Sequence, residues 1–243
     1  MYIKRRVINI FFMLLLTSFF IPSCRFTDSP IINKGDNKVL LAAYETQIGQ
    51  SKQILLLQKE RAFLFSKYFV YALEKKNDRW NLAFGPIEAV IGKNGFAPSG
   101  KKREGDGKTP SGIFLLKRTF GYNKFISSKM PYQQVLEDDL WVDDPEDSSY
   151  NQWVKENKTK ATSFEKMRRT DNQYKYGIVI EYNTDPVIKS HGSAIFFHVW
   201  KAKSSSTAGC VAVSEENLVK ILAWLDPSFN PLIIMGISEE DDL

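Results

Sequence analysis

From Val39 onward the apolar residues come in runs of strand length, and turn signals close each run. KQILLLQ (52–58), KYFVYALEK (67–75), WNLAFG (80–85) and IEAVIG (87–92) are rich in aromatic or β-branched residues and leucine. Asn77-Asp78 and Gly85-Pro86 punctuate them. Further runs follow at GIFLLKRTF (112–120), YGIVIEYN (176–183), SAIFFHVW (193–200) and PLIIMGI (231–237). Such a chain is predicted to be mostly β. One segment breaks the pattern. In SEENLVKILAWLD (214–226), Leu218, Ile221, Leu222 and Leu225 recur at helical spacing, Ser214 stands at the N-cap position, and Pro227 marks the end. KTKATSFEKMRR (158–169) reads as a loop with a basic, solvated helical turn.

The first residues have a different character. MYIKRR is a positive stretch, Val7–Phe20 is an apolar run of 14, and Ile-Pro-Ser-Cys follows at 21–24. A bilayer span needs about 20 apolar residues, so the pattern reads as an export signal, and the residues before Cys24 resemble a lipobox. The expected organisation is a lipoprotein-type signal over 1–23 and a tether over 24–44. A folded domain over 45–238 and an acidic tail over 239–243 follow. Cys24 is the expected lipidation site, which puts the protein in the periplasm or cell envelope, anchored to a membrane. The formal charge of +5 falls to +2 once Lys4, Arg5 and Arg6 are set aside, too little to point to nucleic acid.

The chain has two cysteines and two histidines. If Cys24 is acylated or removed, Cys210 has no partner for a disulfide, and a free thiol in an oxidising compartment is either buried or used. Two histidines and one thiol do not make a convincing zinc set, so no metal is expected. GDGKTP (105–110) fails as a phosphate loop, because Lys102 stands where the motif needs glycine and a strand follows Thr109. DDPED (143–147) lacks the alternation of a calcium loop and reads as a solvated turn. Cys210 itself follows Thr207-Ala208-Gly209, whose small residues let backbone N–H groups approach a ligand, and it precedes the helix by four residues.

His198 … Thr207-Ala208-Gly209-Cys210 resembles the signature of the YkuD-type L,D-transpeptidases. KREGDGKTPSGIFLL (102–116) is similar to that family's Gly-x-x-x-Thr-Pro-x-Gly-x-Phe segment. VLEDDLWVDDPEDSSYNQWV (135–154) and YGIVIEYN … GSAIFFHV resemble a bacterial subgroup, so the likeness runs over roughly 50–237. It implies a β-sandwich with mixed sheets and a short helix after the nucleophile. It also implies a cysteine acyltransferase acting on peptidoglycan stem peptides. Cys210 would take the acyl group of a tetrapeptide stem as a thioester, releasing D-Ala, and pass it to an amine to give a 3–3 cross-link. Water as acceptor would make the protein an L,D-carboxypeptidase, and a non-catalytic peptidoglycan-binding lipoprotein is the alternative of another class. His198 would be the base, with His191 its rival. Gly209 and Cys210 would supply oxyanion N–H groups, and Thr207 would support the loop. No cofactor is implied, because the thioester carries the energy of the donor bond. Trp200, Tyr150, Asn151 and Trp153 are candidates to line a substrate groove or to pack in the core. Many members carry Arg two residues after the cysteine, where this chain has Ala212; Lys108, Lys201 and Lys203 are the candidate replacements.

Overall fold

Side chains alternate across a strand, and that alternation decides which residues of this chain meet. In the computed structural model, residues 41–61 and 66–237 are described. The chain divides into units over Met1–Ile31 and Ile32–Leu243, and every described residue belongs to the second. The export signal, Cys24, most of the tether and the acidic tail lie outside the described residues. The expected tether ends too late, because Leu41 is already buried in an apolar cluster, ahead of the short helix α1 (Glu45–Ile48).

The strands are β1 (Gln53–Arg61), β2 (Ser66–Lys76), β3 (Arg79–Ala89), β4 (Phe96–Ala97), β5 (Thr109–Pro110), β6 (Gly112–Gly121) and β7 (Tyr132–Gln134). After them come β8 (Asp139–Val142), β9 (Trp153–Lys155), β10 (Phe164–Lys166), β11 (Tyr176–Ile180), β12 (Phe196–Val199), β13 (Val211–Val213), helix α2 (Glu215–Trp224) and β14 (Leu232–Met235). The main sheet runs β13-β12-β11-β6-β14-β1-β2-β3, with β7 on β6. It mixes parallel pairs (β1 with β14, β12 with β13) and antiparallel ones.

β6 belongs to both halves of this sheet. Its first residues pair with β14 (Leu115 opposite Leu232) and its last with β11 (Phe120 opposite Gly177). The two halves therefore face each other as the layers of a sandwich. Just beyond β3, Val90 pairs with Ala212 of β13: Val90 N–H donates to the Ala212 carbonyl at 2.8 Å and Ala212 N–H to the Val90 carbonyl at 2.9 Å. The sheet thus closes on itself and leaves no free edge there.

β1 shows how a continuous apolar run serves such a sheet. Leu55 and Leu57 enter the central core, while Ile54 and Leu56 join a second cluster on the opposite face, with Leu41 and Ile48. Both faces are covered, so the strand does not alternate in polarity. β11, β12 and β13 divide in the same way. Ile178, Phe197, Val199, Val211 and Val213 point into the central core, whereas Val179, Phe196 and Cys210 lie in a third cluster. A three-stranded sheet, β10-β8-β9, contributes Trp141 and Trp153 to that cluster.

Two local expectations change. Gly85-Pro86 does not end a strand. β3 runs through it, and the register shift opposite Val70 and Ala72 absorbs the extra residue as a bulge. A side chain at Gly85 would begin 2.9 Å from the Val70 carbonyl, which is why glycine sits there. The segment 158–169 is not a solvated basic turn. It carries β10, and Met167 beyond it is fully buried. Nor is 143–147 merely solvated, because Asp144 accepts from the N–H and hydroxyl of Thr162, both at 2.8 Å, and fastens the turn to the next segment. By contrast Asn77 and Asp78, both at positive φ, form the two-residue turn of the β2–β3 hairpin. Helix α2 is capped as expected, with Ser214 Oγ accepting from Asn217 N–H.

Ala212 at the closure is 0% exposed. Replacing it with the arginine common in the family combines overpacking with a buried charge. Ala212→Arg is expected to lower unfolding free energy by about 3 kcal/mol or more, and removing the cap in Ser214→Ala by about 1 kcal/mol. Urea denaturation reads both. An Ala212→Arg protein with the wild-type midpoint would show that the closure tolerates bulk.

Candidate active site

Cys210 lies immediately before β13 on the face that the small sheet covers, and its side chain is 8% exposed. Its Sγ donates to the Ala194 carbonyl at 3.2 Å and accepts from the Phe196 N–H at 3.4 Å. Burial pushes the thiol up to about 12, against the Phe196 N–H, which lowers it. Glu165 raises it further, while Lys102 and Arg169 pull it down.

β12 and β13 are parallel, with His198 opposite Ala212. One residue separates His198 from Phe196, and one separates Ala212 from Cys210, so all four project to one face. His198 is therefore the next position along that face from the thiol. It is 4% exposed, and its ring packs edge-on against Tyr174 with centroids 5.2 Å apart. Nδ1 lies 2.8 Å from the Val199 carbonyl, a geometry that puts the proton on Nδ1, and the Gln173 backbone also engages the ring. Burial lowers the imidazole to about 4, although the Val199 carbonyl acts the other way. His191 is not part of this arrangement: it sits in the 184–194 loop, with Nδ1 3.0 Å from the Lys189 carbonyl.

The segment before Cys210 is held from two sides. Thr207 pairs with the strand end at residues 91–93: its N–H donates to the Ile91 carbonyl at 2.9 Å, and its carbonyl accepts from Lys93 N–H at 3.0 Å. Its hydroxyl donates to the Cys210 carbonyl at 2.7 Å and accepts from Gly209 N–H at 3.2 Å. The Thr207 hydroxyl thus ties together the backbone of Gly209 and Cys210. The Gly209 N–H is engaged by it, which corrects the expectation of a free oxyanion donor there. On the other side Thr109 donates its hydroxyl to the Gly209 carbonyl at 2.8 Å and accepts from Gly92 N–H at 2.9 Å. A Cβ at Gly209 would stand 2.9 Å from the Lys108 carbonyl, and one at Gly92 2.5 Å from the Gly107 carbonyl. GDGKTP is therefore a segment clasped between two glycines, and its close backbone approach explains its composition.

Asn151 is also corrected. It is buried, its Oδ1 accepts from Trp141 Nε1 (2.9 Å) and Ala194 N–H (3.1 Å), and its Nδ2 donates to the carbonyls of Tyr182 (3.2 Å) and Asn183 (2.6 Å). No group is left over for a substrate. It instead holds Ala194, at φ 51°, whose carbonyl meets the thiol. Tyr150 is likewise internal, donating to Glu104 Oε2 at 2.5 Å and accepting from Gly192 N–H at 3.1 Å. Trp200 is half-buried at the end of β12, with its backbone N–H on the Val213 carbonyl at 2.8 Å. Among the candidate cations, Lys203 is paired with Glu88 at 2.5 Å, Lys201 is exposed, and the half-buried Lys108 contributes its backbone to the Gly209 clasp.

Several site residues escaped the sequence reading. Lys102 is buried beside Gly209 and Gly192. Arg169 lies over Tyr174 at 5.1 Å, bidentate on Asp171 and 3.3 Å from Glu165. Burial raises the Glu165 carboxyl against the pull of Arg169. These residues sit in loops and very short strands, where no periodicity marks a buried position. Among the described residues no three His, Cys, Asp or Glu side chains converge as metal ligands. A cavity of about 1090 Å³ lies elsewhere, between α1 and the β2–β3 hairpin, and shares no residue with this site.

No curated protein matches the chain. Among solved structures it is similar to the helical cell shape determining protein Pgp2 from Campylobacter jejuni, at 18% identity and a TM-score of 0.41. The match covers 83% of this chain and 58% of that one, so the chain spans less than two thirds of Pgp2, and so distant a likeness carries no argument. The family match does: residues 65–234, which include His198, Cys210 and the clasp around them, match the L,D-transpeptidase catalytic domain, and the chain belongs to this YkuD family.

Proposed function

We propose that the protein is a peptidoglycan L,D-transpeptidase with Cys210 as nucleophile and His198 as base. The observation that carries this reading is the placement of the thiol. It is water-excluded and held between a backbone donor and a backbone acceptor, with an imidazole on the same face, in a domain of this family. At neutral pH both groups are uncharged, because burial opposes thiolate and imidazolium alike. Proton transfer therefore accompanies attack and does not precede it. Cys210 Sγ bonds to the carbonyl carbon of the stem peptide as its proton passes to His198. The carbonyl oxygen takes the negative charge, and the Cys210 N–H is the nearest backbone donor for it. The C–N bond to D-Ala then breaks, His198 returns the proton to the departing amine, and a thioester remains. An acceptor amine attacks that thioester, loses its proton to His198, and forms the cross-link as the thiol is restored. The enzyme would work in the envelope, tethered through a lipid on Cys24.

Incubation with a tetrapeptide stem is expected to release D-Ala and yield a cross-linked dimer. A carbapenem should add one acyl group to Cys210 by intact mass. Cys210→Ala should show neither. Free tripeptide without dimer would assign hydrolysis instead, and an unmodified wild-type thiol together with undiminished stem would remove the enzymatic reading. Cys24→Ser is expected to move the protein from the membrane to the soluble fraction; unchanged membrane association would refute the lipid anchor.

The buried imidazole also makes stability depend on pH. An unfolded histidine titrates near 6.5, but His198 folded titrates near 4. Between these values the unfolded chain binds more protons, so stability falls as pH falls through this window. Its contribution to the loss should reach about 2 kcal/mol at pH 5. Urea midpoints at pH 7 and pH 5 are expected to differ more for wild type than for His198→Gln; equal differences would mean that His198 is not buried neutral.

A further inference from the structure

Lys102 is a buried lysine at the edge of the active site that the reaction outlined above does not use. Its side chain is 5% exposed. A buried ammonium persists only where partners replace its water. Two of its three N–H donors are taken, by Asp106 Oδ1 and by the Arg103 carbonyl, each at 2.7 Å. Asp106 is itself fastened by the N–H groups of Arg103 and Lys108, both at 2.8 Å, so the pair is built into the loop.

The loop aims the lysine at the nucleophile's backbone. A Cβ on Gly192 would lie 3.0 Å from Lys102 Cγ and 3.2 Å from Cε, and Gly192 has φ 98°. A Cβ on Gly209, the residue before Cys210, would lie 3.7 Å from Cε. The lysine stem thus passes between two residues whose lack of side chains admits it. Position 212, where the family commonly has a cation, is a buried alanine here.

We propose that Lys102 is the fixed cation of this site, entering from the loop before β5, and stabilises the partial negative charge that Cys210 Sγ carries while its proton is leaving. The inference rests on Cys210 being the nucleophile. The charged and titratable groups around the thiol are Lys102 and Arg169, which favour the thiolate, Glu165, which opposes it, and the neutral Tyr174 and His198. Arg169 is already answered by two carboxylates, Asp171 and Glu165. Lys102 is answered by one, Asp106, and its stem runs beside Gly209, the residue before the thiol. It acts on the thiol through space and is a positioning residue.

The test is the rate of Cys210 alkylation by iodoacetamide on the purified full chain, followed on the Cys210 peptide by mass spectrometry. Lys102→Met keeps the aliphatic stem and removes the charge. At a fixed pH of 8 alkylation of this variant is expected to be about tenfold slower than that of wild type, because less of the thiol ionises once the fixed charge is gone. Lys102→Arg should restore the rate to within about threefold. A thermal melt confirms that each variant is folded, and Lys102→Gln serves if the methionine variant is not. A folded uncharged variant alkylated at the wild-type rate at pH 8 overturns the proposal, as does an arginine variant no faster than methionine. Alkylation reports on the thiol whether or not stem peptides are transferred, so this failure is separable from failure of the transpeptidase reading.

Discussion

The pair of backbone hydrogen bonds between Val90 and Ala212 governs the rest of this structure. It joins the far end of the β1–β2–β3 half to the last strand of the β6–β11–β12–β13 half. Once that edge is paired, Ala212 is enclosed, and the residue two before it is fixed at the rim of the closed sheet. That residue is Cys210. The same closure brings residues 91–93 against Thr207, whose hydroxyl ties together the backbone of Gly209 and Cys210. Fold stability and nucleophile placement therefore rest on one contact.

β13 carries alanine at the closure, and the buried cation near the thiol comes from elsewhere. The loop leading to β5 threads between Gly92 and Gly209 and carries Lys102 with it. The three-stranded sheet lies over the thiol with Trp141 and Trp153, and Glu165 and Arg169 stand at or just beyond its β10 edge. Such a surround excludes water, which raises the cost of either ion alone and favours chemistry in which the proton moves as the bond forms. A desolvated site of this kind gains more from each fixed charge than an open one would.

Much of the architecture was legible in the residues. The long strands, the β2–β3 turn at Asn77-Asp78 and the capped helix after Ser214 each carry a local signal strong enough to stand without tertiary help. The small sheet was not legible. β8, β9 and β10 are three or four residues long, and their composition of Asp, Lys, Glu and Trp has no period. Gly85-Pro86 misled because a bulge and a turn use the same residues, and only the partner strand decides between them. At the site, Cys210, His198 and Thr207 stood out by rarity and by the small residues between them. Asn151 was noticed for the wrong reason, since an amide that satisfies four internal groups looks in sequence like one free to bind.

By itself the sequence determined that the chain folds as mostly β, that it ends one strand in an imidazole and opens another with a thiol, and that a glycine precedes that thiol. Those are consequences of local preference and of strand alternation. Tertiary structure alone decided that both groups are buried, that Thr109 holds the Gly209 carbonyl, and that Lys102 lies buried beside Gly209. Each depends on segments about a hundred residues apart meeting at a closed sheet edge, and no local property of the chain encodes that meeting.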